Sequence, residues 1–130
     1  MARREWVWVD PAVAEAAHNE QLAEHGGAEG LRDPNMLESA MARPLNLVAY
    51  GDRDAAELAA SYAFGIARNH PFVDGNKRTA AVVSETFLML NGYRLTCDDV
   101  EMVMTFLALA TGELSVEALA DWFRVHIREA

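Results

Sequence analysis

The sequence has one cysteine, Cys97, one lysine, Lys77, and no apolar run near the roughly 18 residues that a membrane-spanning helix needs. One cysteine cannot close an internal disulfide, which fits a reducing, cytoplasmic setting. No histidine lies near Cys97 in sequence, so it reads as a packing residue and not as a nucleophile. Cations are scarce: 11 Lys and Arg face 20 Asp and Glu, for a net charge of −9. That field opposes nonspecific binding to nucleic acid, which needs a basic face. No direct nucleic-acid or membrane partner is therefore expected. Arg3 and Arg4 are not followed by a long apolar stretch, so no signal peptide is expected. Repeats, linkers and low-complexity tracts are also lacking.

What remains is an ordinary soluble composition, 52% apolar and 24% charged over 130 residues, which predicts one globular domain with its own core. Residues 5–9, Glu-Trp-Val-Trp-Val, are β-prone and predict a short strand or extended lead-in. Asp10–Pro11 reads as an N-cap with proline at the first helical position, and an Ala-rich helix runs to about His25, where Gly26–Gly27 stops it. Residues 26–33 form a glycine-rich connector. Asp33–Pro34 repeats the start signal for a short helix to about Met41, ended by Pro44. Residues 44–53 carry β-formers and predict a loop or a small extended flap.

A helix from about Asp54 to Asn69 places Leu58, Tyr62, Gly65, Ile66 and Asn69 on one face. His70–Pro71 ends it. The next helix runs from Asn76 to about Asn91, and its apolar residues on most sides predict burial nearly all round. Thr96 reads as the cap of a helix over about 99–110, apolar on most sides again. Ser115 caps the last helix, with Val116, Leu119, Ala120, Phe123 and Ile127 as its stripe and Glu117, Asp121, Arg124 and Arg128 facing solvent. The sum is a compact all-α domain of about six helices with at most minor strand content.

Between the two central helices lies His70–Pro71–Phe72–Val73–Asp74–Gly75–Asn76–Lys77–Arg78–Thr79. Gly75 before a helix start permits close backbone approach. The first amides of that helix lack intrahelical partners and, with the helix dipole, form an anion site. Lys77 and Arg78 add charge beside it, and Lys77 is the only lysine of the chain. Asp74 would repel an anion there unless a Mg²⁺ ion stands between them, held by one carboxylate and by phosphate oxygens. His70 can accept a hydroxyl proton at neutral pH. Phe72 is placed to anchor the loop in the core. Each residue also has an ordinary structural reading: a helix terminator, an Asp-Gly turn, an N-cap, two surface charges. Their conjunction at this spacing is what points to phosphate chemistry.

This segment resembles the Fic/Doc motif, whose Fic form is HxFx(D/E)GNGR. It is most similar to the Doc (death-on-curing) toxin branch of bacterial toxin–antitoxin systems, in which lysine replaces the second glycine. The likeness extends to Gly26–Gly27 through Asp33–Pro34, to Arg43, and to Ala110–Thr111–Gly112–Glu113–Leu114–Ser115–Val116, and so covers most of the chain. The resemblance implies a Fic fold, a helical bundle with the motif between two central helices. It implies ATP as co-substrate with Mg²⁺, and transfer of the terminal phosphoryl group to elongation factor Tu, which stops translation. On that analogy His70 is the general base and Asp74 holds Mg²⁺. Gly75 and Asn76 cradle the phosphates, Lys77 and Arg78 bind them, and Arg68 is a further phosphate-binding candidate. Residues 44–53 would align the target by strand-like pairing. AMP-transferring members often carry a second arginine three residues after the first, where this chain has Ala81, so Lys77 and Ala81 together favour the kinase chemistry. Gly75 stands where the Doc form often has alanine. AMP transfer, or a non-catalytic nucleotide- or protein-binding module, are the rival readings. The resemblance also implies a cognate antitoxin whose C-terminal segment folds along a groove, with Trp6, Trp8, Leu31, Tyr50 and Trp122 as candidate lining.

Overall fold

The computed structural model describes residues 5–130. The first four residues, including Arg3 and Arg4 of the signal-peptide expectation, lie outside the described residues. Six helices follow in order: α1 (Pro11–His25), α2 (Pro34–Ala49), α3 (Ala55–Asn69), α4 (Asn76–Leu90), α5 (Asp99–Thr111) and α6 (Val116–His126). A two-stranded antiparallel ribbon joins β1 (Tyr93–Leu95) to β2 (Ile127–Glu129), with Leu95 opposite Ile127. None of the described helices is long and apolar enough to cross a membrane.

α3 is the axis of the bundle and packs on α2, α4 and α6. Its composition allows this. Alanines and Gly65 let neighbouring backbones approach from several sides, and a Cβ at Gly65 would stand 3.1 Å from the Ala40 carbonyl oxygen. Most of α3 is buried. The sequence pattern placed nearly all-round burial on α4 instead. α4 buries Ala80, Val83, Phe87 and Leu88 but leaves Met89 and Leu90 exposed. Apolar content measures what a helix would gain by burial, whereas small side chains decide how many neighbours can reach it. α5 departs further from its pattern. Only Phe106 and Leu109 are buried, while Val100, Val103 and Met104 are 72%, 57% and 59% exposed.

Two boundaries differ from the sequence expectation. Helix α2 does not stop before Pro44; it runs through that residue to Ala49. An interior proline costs about 3 kcal/mol. The buried stripe Leu37, Ala40, Met41 and Pro44 offsets it, because ending the helix at Met41 would lose the packing of Pro44 and of the turn beyond it. The predicted flap over residues 44–53 is therefore the last turns of α2 and a short link, with no extended edge to pair with a target strand. At the other end, α6 stops at His126, so Ile127 and Arg128 belong to β2 and not to the last helix. The Thr96 amide and hydroxyl both donate to the His126 carbonyl, each at 2.7 Å, and hold that ending. Thr96 is thus engaged elsewhere, and Asp98 caps α5 by accepting from the Glu101 amide.

Residues 5–10 form no strand and lead into α1. The Asn91 side chain accepts from the Val7 amide (2.8 Å) and donates to its carbonyl (2.9 Å). Trp6 and Trp8 lie against Phe87. Tyr62, buried in α3, accepts from the Val9 amide at 3.0 Å. Of the candidate groove residues, Trp122 packs on Phe106 and Phe123, Leu31 bridges to Phe72, and Tyr50 is exposed. Cys97 is half-buried against the Met102 sulfur at 3.9 Å. Burial and surrounding acids, Glu101 first among them, push its thiol up, which suits packing and not nucleophilic attack.

Candidate active site

The loop between α3 and α4 is built by closing one helix early and leaving the next one open. α3 ends at Asn69 because His70 turns left-handed (φ 52, ψ 54), and it is the only described non-glycine residue at positive φ. That conformation costs an L-residue roughly 1–2 kcal/mol. The His70 amide still donates to the Ile66 carbonyl, and Pro71 cannot continue the helix. Phe72 is buried, and its ring stacks on His18 of α1 with centroids 3.8 Å apart and planes 7° from parallel. His18 Nε2 lies 2.7 Å from the Asp74 carbonyl oxygen. A carbonyl only accepts, so Nε2 carries a proton and donates.

Asn76 is buried, and its side chain folds back over the loop. Its Oδ1 accepts from the Phe72 amide at 3.0 Å and its Nδ2 donates to the Phe72 carbonyl at 2.9 Å. Only its backbone amide is left to face an anion. Gly75 is the N-cap of α4 at φ 79, and no side chain caps the helix. Asp74 Oδ1 accepts from the Gly75 amide (2.9 Å), and Oδ2 leans on the connector, 3.4 Å from the Ala28 amide. The second of the paired glycines is explained here: a Cβ on Gly27 would stand 2.9 Å from Asp74 Oδ2.

The connector grips the loop from behind. The Pro71 carbonyl accepts from the amides of Arg32 (2.7 Å) and Asp33 (3.0 Å), and the Val73 amide donates to the Gly30 carbonyl (3.0 Å). Leu31 and Phe72 form an isolated bridge between the two. The Arg32 guanidinium donates to two successive carbonyls, Asn69 at 2.9 Å and His70 at 2.8 Å.

In front, the loop opens on a cavity of about 370 Å³ lined by Ala67, His70, Asp74, Gly75, Asn76, Lys77 and Arg78, with Leu107 and Ala110 of α5 opposite. Among the described residues, Lys77 and Arg78 pair with no acid and the His70 imidazole has no hydrogen-bond partner. Asp74 is the only carboxylate in the lining, and no cluster of three or more metal-ligating side chains occurs among the described residues. An adjoining cavity of about 460 Å³ shares Lys77 and Arg78 and continues between α1, α4 and α5 past Ala81, Val103 and Phe106 to Glu85. Burial raises the Glu85 carboxyl, and Asp99 adds to the shift.

Residues 8–88 match the Fic/DOC family. The chain is 36% identical over 117 residues to "Protein kinase doc" of Escherichia phage P1, covering 89% of this chain and 92% of that protein. It is 39% identical over 100 residues to "Toxin Doc" of Mycolicibacterium smegmatis, covering 73% of this chain and 76% of that one. The chain belongs to the Fic/DOC family. Its helical bundle with a very small sheet is of the Fic type, and its relatives place it in the Doc branch.

The Fic/DOC motif of this chain divides into two groups. His70, Asp74, Gly75, Lys77 and Arg78 meet at the front cavity, while Phe72 and the Asn76 side chain hold the loop from within. Arg68 is not brought in. It lies over the Phe64 ring at 5.7 Å and beside Gly112, outside the cavity lining. Two residues behind the motif escaped the sequence reading. His18 carried no sequence signal: it is one of the two buried positions of α1, but that Ala-rich helix has no clear apolar stripe to single it out. Arg32 carried none either, being one of three charged residues in a glycine-rich connector.

Proposed function

We propose that the protein is a Doc-type toxin that transfers the γ-phosphoryl group of ATP to a serine or threonine hydroxyl of a translation factor, elongation factor Tu, in the cytoplasm. The observation that carries this reading is the uncapped start of α4. Its free amides, Lys77 and Arg78 converge on the cavity that His70 also lines. Such a positive, unpaired helix start is an anion site. Phosphoryl transfer asks a protein mainly for positioning and charge stabilisation.

In this reading the α4 amides, Lys77 and Arg78 hold the triphosphate. His70 accepts the proton of the target hydroxyl. The hydroxyl oxygen bonds to the γ-phosphorus as the bond to the β–γ bridging oxygen breaks, and ADP leaves with that electron pair. Asp74 fits Mg²⁺ as a single carboxylate whose partners are backbone amides, leaving phosphate oxygens and water for the other positions; when bound, the ion neutralises charge on the phosphates. Lys77 in place of the Fic glycine, and Ala81 in place of a second arginine, favour phosphoryl over AMP transfer.

The partner is a cognate antitoxin whose C-terminal segment folds along the protein. The exposed apolar side chains of α5, beside the cavity that shares Lys77 and Arg78, offer such a segment a surface that reaches the site.

ATP labelled at the γ- or the α-phosphate, incubated with the protein and elongation factor Tu, tests the chemistry. The γ-label is expected on the factor. Transfer of the α-label means AMP transfer, and transfer of neither means a binding module. His70→Ala is expected to abolish growth arrest in cells, and continued arrest would remove His70 as the base.

A further inference from the structure

We propose that Arg32 is a positioning residue for His70. The inference rests on the reading of His70 as the base. Histidine enters the left-handed region more readily than most residues, yet at a cost, and Pro71 disfavours only the right-handed helical alternative at His70. A contact from outside the helix that holds both neighbouring carbonyls would fix the geometry. Arg32 reaches the loop from a segment 38 positions earlier and places its Nε 2.8 Å from the His70 carbonyl oxygen and an Nη 2.9 Å from that of Asn69.

The two contacts act on geometry. A guanidinium is a rigid planar fork. Bonding to two successive carbonyls, it fixes the angle between the Asn69–His70 and His70–Pro71 peptide planes, and that angle is set by the φ and ψ of His70. The direction of the His70 side chain follows. Arg32 cannot drift, because its own amide and that of Asp33 are bound to the Pro71 carbonyl. Among the described residues no acid pairs with its side chain, so the loop carbonyls are its partners. It does not line the cavity, and its hydrogen bonds go to the carbonyls of Asn69, His70 and Pro71 and not to Lys77, Arg78 or the α4 amides. Its effect should therefore fall on the orientation of the base and not on nucleotide binding.

Two measurements on the full chain test this. The first reads the backbone chemical shifts of His70 in isotopically labelled protein. Wild type should give left-handed values, and Arg32→Ala should lose them while the α3 and α4 signals persist. The second follows γ-label transfer to elongation factor Tu. Arg32→Ala should lower kcat by about 10²-fold, the loss typical of a misplacement of roughly 1 Å, with KM for ATP unchanged. Arg32→Lys, which reaches one carbonyl at a time, should recover only part of kcat, and added guanidinium ion should raise kcat of Arg32→Ala but not of wild type. Unchanged His70 shifts in Arg32→Ala overturn the proposal, as does a wild-type kcat or a loss confined to KM. If Arg32→Ala does not fold, Arg32→Gln, which keeps much of the stem and one donor group, replaces it in both measurements. A wild-type protein that transfers no label defeats the kinase reading, and the shift measurement then decides on Arg32 alone.

Discussion

The starts of α4 and α5 are built in opposite ways. At α5, Asp98 accepts from the Glu101 amide at 2.7 Å, and Asp99 and Glu101 add negative charge to the positive end of the helix. Asp10, Asp33, Asp54 and Ser115 cap α1, α2, α3 and α6 in the same manner. At α4 there is a glycine with no cap, followed by Lys77 and Arg78 in the first turn. Cations at a helix N-terminus are unfavourable by about 0.3–1 kcal/mol each. For folding alone the α4 start is the wrong design. It becomes the right one when an anion occupies it, and the comparison separates a helix end that serves stability from one that serves a ligand.

Lys77→Ala should break that comparison most visibly. Removing one preorganised electrostatic group costs about 10²–10³-fold in kcat, so γ-label transfer should fall by that order. Melting temperature should hold or rise slightly, because a repelling charge is gone. An active or a destabilised Lys77→Ala protein would contradict the assignment.

Asn76→Ala should damage stability as well. It leaves the amide and carbonyl of buried Phe72 without partners, at about 1–3 kcal/mol for each group. Urea unfolding should place it well below Asp98→Ala, which removes only a cap at about 1 kcal/mol and should leave transfer intact. Equal losses would mean that the Asn76 pair is no more than another cap.

The smallest effect concerns α3. Burial raises the Asp54 carboxyl, but the Arg124 hydrogen bond, the Glu57 amide and the Arg124 charge outweigh it and hold it below 3.8. A depressed carboxyl stabilises the fold above its unfolded value, and that contribution disappears as pH falls through the lowered one. Asp54 is about half exposed, so solvent screening keeps the effect small. Asp54→Asn retains a capping oxygen and should flatten the decline in stability below pH 3.8. A decline as steep as in wild type would show that the Arg124 pair contributes nothing there.

The helix starts were legible because their signals are local: Asp10–Pro11, Asp33–Pro34 and Ser115 each act within a few residues. Loop membership was legible because the motif is contiguous. Pro44 misled because its cost is local while the packing that offsets it lies on α3. Thr96 misled because its hydroxyl had a distant acceptor at His126. His18 and Arg32 were hidden for the same reason: each acts on a segment dozens of positions away, and no spacing rule within one helix reveals such a contact.

The grip of the connector on the loop also bears on how the protein fails. Residues 26–30 are exposed and glycine-rich, and they leave no side chain in the core. Segments of that kind open locally at a lower free energy than the domain as a whole. A protease that cuts between Gly26 and Gly30, or gentle warming, would release the rear wall of the site while α3 and its neighbours stay assembled. Inactivation should then precede loss of helicity, leaving a folded but silent protein.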